Sequence, residues 1–432
     1  MLPNTIKLLL AAILWIGTSC EEVPAQETFG RTLDSMLLGY PYIKKSANKI
    51  ENDTLGGALG KFYEKLYELQ TGKRDRITIV HIGDSHIQAD FITGRMRQNL
   101  QTEFGNAGRG TVFPYRVAKT NGPSDYRSWT NGAWDARRGI IADTSMPIGL
   151  SGFTIRMDDT ATMLRIVMKT VPKLDYSFNK ITLFHEKGMG AFEIAVCDTF
   201  NCQLANIDPR SGGDIYSVAT LPQLTDGVLF HFNAMDTLSK MAQLYGIVLE
   251  NGKPGVLYNM IGINGAEYRH YNKAEKFIEQ LQVLQPDLII VSMGTNEGYA
   301  PAFRKADFET NIQKLLDSFS KQIPDAQVLI TTPPDSFKRT RKGRVKNPNM
   351  LLARNTLIEK SKKNKLAYWD LYNVMGGYGS MAKWYLSGLD ARDRVHFSTK
   401  GYDIQGSLLH SALMKDYEQY ILLKYGKKDQ GK

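Results

Sequence analysis

Cysteine is scarce here, three residues in 432, and so is any pattern that would hold a metal. Two interior cysteines do not make a metal site, and no histidine follows them at finger spacing. Of the seven histidines, His185, His231, His270 and His410 stand in no Glu-x-x-His or His-x-His context. Neither a metal nor an organic cofactor is expected. Long basic arms with interleaved aromatics are also missing. That argues against nucleic acid as a partner, although the formal charge is +10 and favours polyanionic surroundings such as a wall or membrane surface. The densest basic run, Lys338–Lys346, lies between a strand and a helix. It reads as a mobile loop, a solvated surface turn rather than a polymer-binding patch. There is no internal repeat and no long acidic or basic tail.

The first 25 residues read as a signal peptide rather than as part of the fold. Lys7 supplies the positive start, and Leu8 to Gly17 is an apolar stretch too short to span a bilayer comfortably. Two processing points compete. Val23-Pro24-Ala25 ahead of Gln26 has the small residues that ordinary cleavage needs. Cys20, after Gly17-Thr18-Ser19, offers a lipidated membrane tether instead, but the usual large apolar residue three positions earlier is absent. Simple secretion is preferred, to the periplasm or outer cell surface. Export into an oxidising compartment permits a disulfide between Cys197 and Cys202, closing the short loop of CDTFNC.

With 42% apolar residues the chain can bury more than one core. Residues 26–54 show little periodicity and read as a lead-in or linker. Leu59, Phe62, Leu66 and Leu69 recur at helical spacing. Ile77–Ile82 is a buried strand that ends in Gly83-Asp84-Ser85-His86, with a helix to Phe104. From 105 to 252 the pattern changes to seven or more short alternating runs broken by Gly, Asp, Asn and Pro, as an antiparallel, jelly-roll-like β-sandwich requires. Strand–helix alternation resumes from 253 to 424, with strands expected at 256–263, 288–293, 327–332 and 366–369, and helices near 268–283, 304–319, 350–363, 381–386 and 401–417. The fold class is therefore α/β, a parallel sheet covered on both faces and interrupted by a β-sandwich domain. The last residues, 425–432, read as a tail.

A serine in a small-residue turn at the end of a buried strand is held by backbone, where ligands bind in open α/β sheets. Three later stretches fall in comparable places. Gly262-Ile263-Asn264-Gly265-Ala266-Glu267 can present amide donors. Ser292-Met293-Gly294-Thr295-Asn296-Glu297 closes a strand and offers the Asn296 side chain. Asp393-Arg394-Val395-His396 places a carboxylate three residues from an imidazole, on one face of a turn. Together they offer a nucleophile (Ser85), a base (His396), a group that orients the base (Asp393), and oxyanion donors at Ser85, Gly265 and Asn296. His86 is assigned a supporting or substrate-contacting place. Arg109, Trp129 and Trp134 are candidate sugar contacts, because exposed aromatics stack on sugar faces.

These stretches resemble the blocks of the SGNH (or GDSL) hydrolase family, secreted serine esterases on a flavodoxin-like three-layer α/β/α fold. Gly83-Asp84-Ser85 matches the first block, Gly265 the glycine of the second, Gly294-Thr295-Asn296 the third and Asp393 to His396 the fifth. The third block departs from the family at Glu297, where Asp is usual, which puts the local loop geometry in question. GDSHIQAD, then FGNAGRG, a sandwich insert and YGIVLENGKPGVLYNMIGINGAEY look more specifically like the bacterial peptidoglycan O-acetylesterases. That resemblance implies removal of the acetyl ester from the 6-hydroxyl of N-acetylmuramic acid, with an acetylated cell-wall glycan as partner. Deacetylation of another polysaccharide such as acetylxylan, noncatalytic glycan binding, and a lipase on the same scaffold are the alternatives. The oligomeric state is not legible.

Overall fold

The computed structural model describes residues 33–53, 56–143, 145–158, 161–198, 202–211, 215–341 and 343–426. The expected leader, Cys20 and the last six residues lie outside them. A six-stranded sheet runs in the order Ile50–Glu51, Ala367–Trp369, Gln327–Thr331, Leu288–Ser292, Arg76–Gly83, Gly255–Gly262. Its central strands are parallel, and Gly83 is level with both Gly262 and Ser292, so their C-terminal ends form one rim. Branched apolar residues such as Ile77, Ile79, Val80 and Ile82 are buried, as strands covered on both faces require. One group of helices packs Thr399–Tyr425 on Phe91–Phe104 and Gly60–Gln70. A second joins Phe277–Val283, Lys305–Gln322 and Asn349–Lys363. This is the expected α/β fold.

Between the strand that ends at Gly83 and its neighbour Gly255–Gly262 the chain forms two antiparallel sheets. One runs Cys202–Ile207, Glu193–Cys197, Gly227–Asn233, Ala161–Met168, Tyr126–Thr130. The other runs Ser217–Thr225, Phe178–His185, Ala242–Glu250, Phe153–Met157, Asp135–Arg138, with Gly110–Val112 added on Ala242–Glu250. Burial alternates along Ala161–Met168, whereas all nine residues of Ala242–Glu250 are buried. That strand runs almost directly into the parallel sheet at Gly255, so the two cores are joined by a rigid edge rather than a tether.

Three local expectations are corrected. Within the supposed linker, Ile50–Glu51 pairs antiparallel with Trp369 and Tyr368 at the sheet edge; a two-residue strand is too short to show periodicity. The helix expected over 268–283 is two, Tyr268–Tyr271 and Phe277–Val283. The basic run is no mobile loop, because Phe337–Thr340 and Gly343–Lys346 form a two-stranded hairpin. Cys197 and Cys202 are register partners in adjacent strands. The Cys202 side chain, and with it the disulfide, lies outside what is described. Among the described residues no helix is long and apolar enough to cross a membrane, and no group of three or more His, Cys, Asp or Glu is placed to hold a metal.

Candidate active site

The strand Arg76–Gly83 delivers Ser85 to the rim. Gly83 is required there, since a Cβ would stand 2.2 Å from Ile87 Cγ1 and 2.8 Å from the Ser292 carbonyl. Ser85 opens a short helix, Ser85–Gln88, whose N-cap Asp84 accepts a hydrogen bond from the His86 amide at 3.0 Å. The Ser85 hydroxyl lies 2.8 Å from His396 Nε2, and His396 Nδ1 lies 2.6 Å from Asp393 Oδ2. The second Asp393 oxygen accepts from the backbone amides of Val395 and His396, each at 2.9 Å. One carboxylate therefore shapes the loop and orients the ring. A carboxylate on Nδ1 places that nitrogen's proton toward Asp393 and leaves Nε2 free to accept from Ser85.

Electrostatics agree with this geometry. Burial works to raise the Asp393 carboxyl, but the His396 hydrogen bond and the two backbone amides hold it well below the usual carboxylate range. Burial alone would depress His396, yet its hydrogen bond to Asp393 and the charges of Asp393 and Asp84 leave it above the ordinary histidine value. Asp84 is pushed up to about 6, chiefly by burial.

Neither the Ser85 nor the Gly265 amide has a hydrogen-bond partner among the described residues. Gly265 has φ of +82°, a left-handed conformation that glycine adopts without strain, and it is exposed. Asn296 stands between the loops, donating from Nδ2 to the Ala266 carbonyl at 2.8 Å and to Asp84 Oδ2 at 3.4 Å. The second contact is long and weak. Glu297, the departure from the family pattern, accepts from the Tyr268 amide at 2.8 Å. The third block is thus tied directly to the helix that follows the Gly265 loop. Glu267 caps the same helix, in a reciprocal box with His270.

Burial pushes the Glu297 carboxyl up to about 8, with Glu267 and Asp84 adding to the shift. Between the unfolded carboxyl range and that value the folded chain binds the extra proton, so stability falls as pH rises through this window. Glu297→Gln should remove that slope. Its melting temperature should exceed that of the wild type most at the alkaline end of the window and converge with it near pH 5, as thermal unfolding across pH would record. Parallel profiles would refute this.

Two of the three candidate sugar contacts are misplaced by the sequence reading. Arg109 is fully buried, bonded to Asp90 Oδ2 at 2.5 Å, Asp125 Oδ2 at 3.0 Å and the Thr111 carbonyl at 2.7 Å. A guanidinium has five donors to satisfy, and here protein acceptors take four of them. Trp134 is buried as well. Its indole donates to Thr130 Oγ1 at 2.9 Å and its ring meets Phe232 edge-on. Trp129 is 56% exposed on the edge strand Tyr126–Thr130, and no described contact joins it to Ser85. His86 is buried, with Nδ1 3.0 Å from the Tyr402 hydroxyl and its ring 5.1 Å from that of His396. Burial and the neighbouring His396 depress it well below the ordinary value. It is a neutral support for the His396 ring rather than a substrate contact.

Gln88 was missed. Its carbonyl oxygen accepts from the Asn264 amide at 2.6 Å, while its amide nitrogen donates to the Asn121 carbonyl at 2.6 Å and to Thr120 Oγ1 at 3.1 Å. Asn264 reaches Asn121 directly at 2.6 Å. One buried side chain therefore joins the Ser85 helix, the Gly265 loop and a corner of the β-domain. The available signal was its place three residues after Ser85, on the same helical face.

Residues 224–404 match the model of the GDSL-like lipase/acylhydrolase family. The chain carries a GDSL-type (SGNH) acylhydrolase domain. The matched stretch holds Gly265, Asn296, Asp393 and His396. It begins beyond the segment that bears Ser85, because the β-domain separates that first block of the acylhydrolase from the rest. No curated protein matches the chain significantly. Among solved structures, a peptidoglycan O-acetylesterase is 23% identical with a TM-score of 0.69, covering 83% of this chain and 96% of its own. Its likeness extends over both the acylhydrolase part and the β-domain. An acetyl xylan esterase (18% identity, TM-score 0.31, 37% of this chain and 81% of its own) is also similar. So is a lipase/acylhydrolase from Enterococcus faecalis (20%, 0.28, 38% and 77%).

Proposed function

We propose that this acylhydrolase is an exported O-acetylesterase that removes the acetyl group from the 6-hydroxyl of N-acetylmuramic acid in peptidoglycan. The observation that carries the reading is the hydrogen-bonded line from the Ser85 hydroxyl through His396 to Asp393, set beside the unengaged amides of Ser85 and Gly265. Ser85 Oγ attacks the acetyl carbonyl as His396 Nε2 takes its proton. The tetrahedral oxyanion rests against the two amides and the second Asn296 N–H, which only the long Asp84 contact occupies. Collapse expels the sugar alkoxide, protonated by His396, and leaves acetyl-Ser85. Water deprotonated by the same imidazole then releases acetate. Every step uses a side chain or amide of this chain, and none calls for a metal.

The choice of a wall glycan draws on the similar peptidoglycan O-acetylesterase, whose two-part architecture this chain shares, and on the basic charge. Export draws on the apolar leader. Acetate release from O-acetylated peptidoglycan and from acetylxylan, measured side by side, tests the substrate. The peptidoglycan should be the better substrate by at least about tenfold in kcat/KM, the discrimination that roughly 1.4 kcal/mol of differential transition-state binding provides. Equal or reversed rates would overturn the wall-glycan assignment. No release from either would overturn the enzymatic one.

A further inference from the structure

The hairpin Phe337–Lys346 stands at the rim of the acylhydrolase sheet. It follows the strand Gln327–Thr331, which pairs in register with Leu288–Ser292, itself the neighbour of the Ser85 strand. Gln327–Thr331 is two positions from the Ser85 strand in the sheet, and the five residues 332–336 lead from its end to the hairpin. It is fastened to the loops on both sides of the site. The Phe337 amide donates to the Arg394 carbonyl at 2.9 Å, and the Arg394 guanidinium lies over the Phe337 and Tyr385 rings at 5.3 and 4.1 Å. Arg394 directly follows Asp393. On the other side, the Arg339 amide donates to the Tyr299 hydroxyl at 3.3 Å, and Asn347 Nδ2 to the Gly298 carbonyl at 3.0 Å, both just beyond Asn296.

What this fixed hairpin displays is positive charge only loosely compensated: Asp390 feels Arg344, Asp335 feels Lys346, and the Lys346 ammonium lies 5.7 Å from the centre of the Tyr378 ring. Arg339, Arg344 and Lys346 are exposed and Lys338 is half-buried, and none of them is in an ion pair among the described residues. Arg339 and Arg344 face each other directly across the strands. Like charges in that position destabilise a hairpin, so its own folding does not explain them. A solvated turn has no need of rigid anchorage to two active-site loops.

We propose that Lys338, Arg339 and Arg344 form an anionic subsite that binds carboxylates of the glycan next to the acetylated sugar. This rests on the wall-glycan reading and names what that substrate must carry: negative charge close to the ester. Guanidinium forks pair with carboxylates bidentately, and Lys338 adds a point charge.

The test is sedimentation binding of the full chain carrying Ser85→Ala, which binds without turnover, to O-acetylated sacculi and to neutral acetylxylan. Adding Lys338→Ala, Arg339→Ala and Arg344→Ala should weaken sacculus binding about tenfold at low salt, two- to threefold for each charge, and flatten its salt dependence. Binding to acetylxylan should not change. Arg339→Lys with Arg344→Lys should restore most of the loss, and the melting temperature of each variant should be no lower than that of the parent, which excludes misfolding as the cause. Sacculi stripped of their stem peptides by an amidase separate the sources. Amidase cleavage removes the peptide carboxylates but frees the lactyl carboxylate to which each stem was amide-linked. Loss of the effect therefore assigns peptide carboxylates, and persistence means that the subsite also accepts the newly freed carboxylate on the sugar. Unchanged sacculus binding in the triple variant, or an equal loss on acetylxylan, would overturn the subsite. Acetate release by the unmutated protein reports separately on the esterase reading.

Discussion

Ser85→Ala should lower acetyl-ester turnover about a millionfold and Asp393→Asn about ten-thousandfold, the losses expected when a nucleophile and an orienting carboxylate are removed from such a relay. The two fail for different reasons, and pH separates them. Without Ser85 no acyl-enzyme forms, and what remains is the polarisation supplied by the amides. An Asn at 393 keeps the size of the side chain but turns an acceptor into a donor toward His396 Nδ1. The ring then carries its proton on Nε2, facing Ser85, where it cannot accept another.

The sign of the pH effect follows from the same contacts. Catalysis needs neutral His396, so kcat/KM should rise with pH through its titration, which Asp393 and Asp84 hold above the ordinary value near about 6.5. Asp393→Asn removes the larger of those two charges, so the acid limb should move to lower pH while the plateau collapses. Rates with p-nitrophenyl acetate from about pH 5 to 9 would record both. An acid limb that stays in place in the Asn variant would mean that something other than His396 titrates there.

The parts of the molecule legible in the sequence are those where one residue type answers one physical demand. The strand Arg76–Gly83 announces itself because a buried parallel strand must be branched and apolar, and a turn that lays a helix across its end must begin with glycine. Asp393 and His396 stand out because three residues is the spacing of one turn. Arg109 and Trp134 misled because their chemistry suits two opposite situations. A guanidinium serves a sugar or a buried carboxylate equally well, and an indole serves a ligand or a core; only the fold decides which partner arrives. Gln88 offered only its spacing from Ser85, because its three partners, Asn264, Asn121 and Thr120, come from segments that only tertiary structure assembles. The hairpin was hidden by its composition, since a run of lysine and arginine reads as solvated until the strands Phe337–Thr340 and Gly343–Lys346 are seen to pair.

Arg109→Ala should cost about 3–5 kcal/mol of stability, the penalty of breaking a buried ion pair from one side, and is the largest loss we expect outside the catalytic line. Arg109 comes from the segment that opens the β-domain, and Asp90 directly precedes the helix Phe91–Phe104 beside the Ser85 turn. Arg97 binds Asp90 at 2.7 Å, and Arg109 also binds Asp125 at 3.0 Å, so two cations and two anions close a buried ring across the boundary. Burial favours a neutral Asp90, but the charges of Arg97 and Arg109 hold it below the usual carboxylate range. With Arg109 gone, Asp90 keeps one cation, Arg97, beside the Thr93 hydroxyl, and among the described residues Asp125 retains as an ion pair only Arg97 at 3.7 Å. The Asp90 carboxyl should then titrate higher, so acid protonates it and relieves the unpaired charge. The stability gap between wild type and variant should narrow as pH falls from about 7 toward 4, in urea unfolding monitored across that range. A gap that is constant with pH would instead mean that the loss comes from the cavity left by the side chain, and that the ring of charges contributes packing rather than electrostatics to the junction.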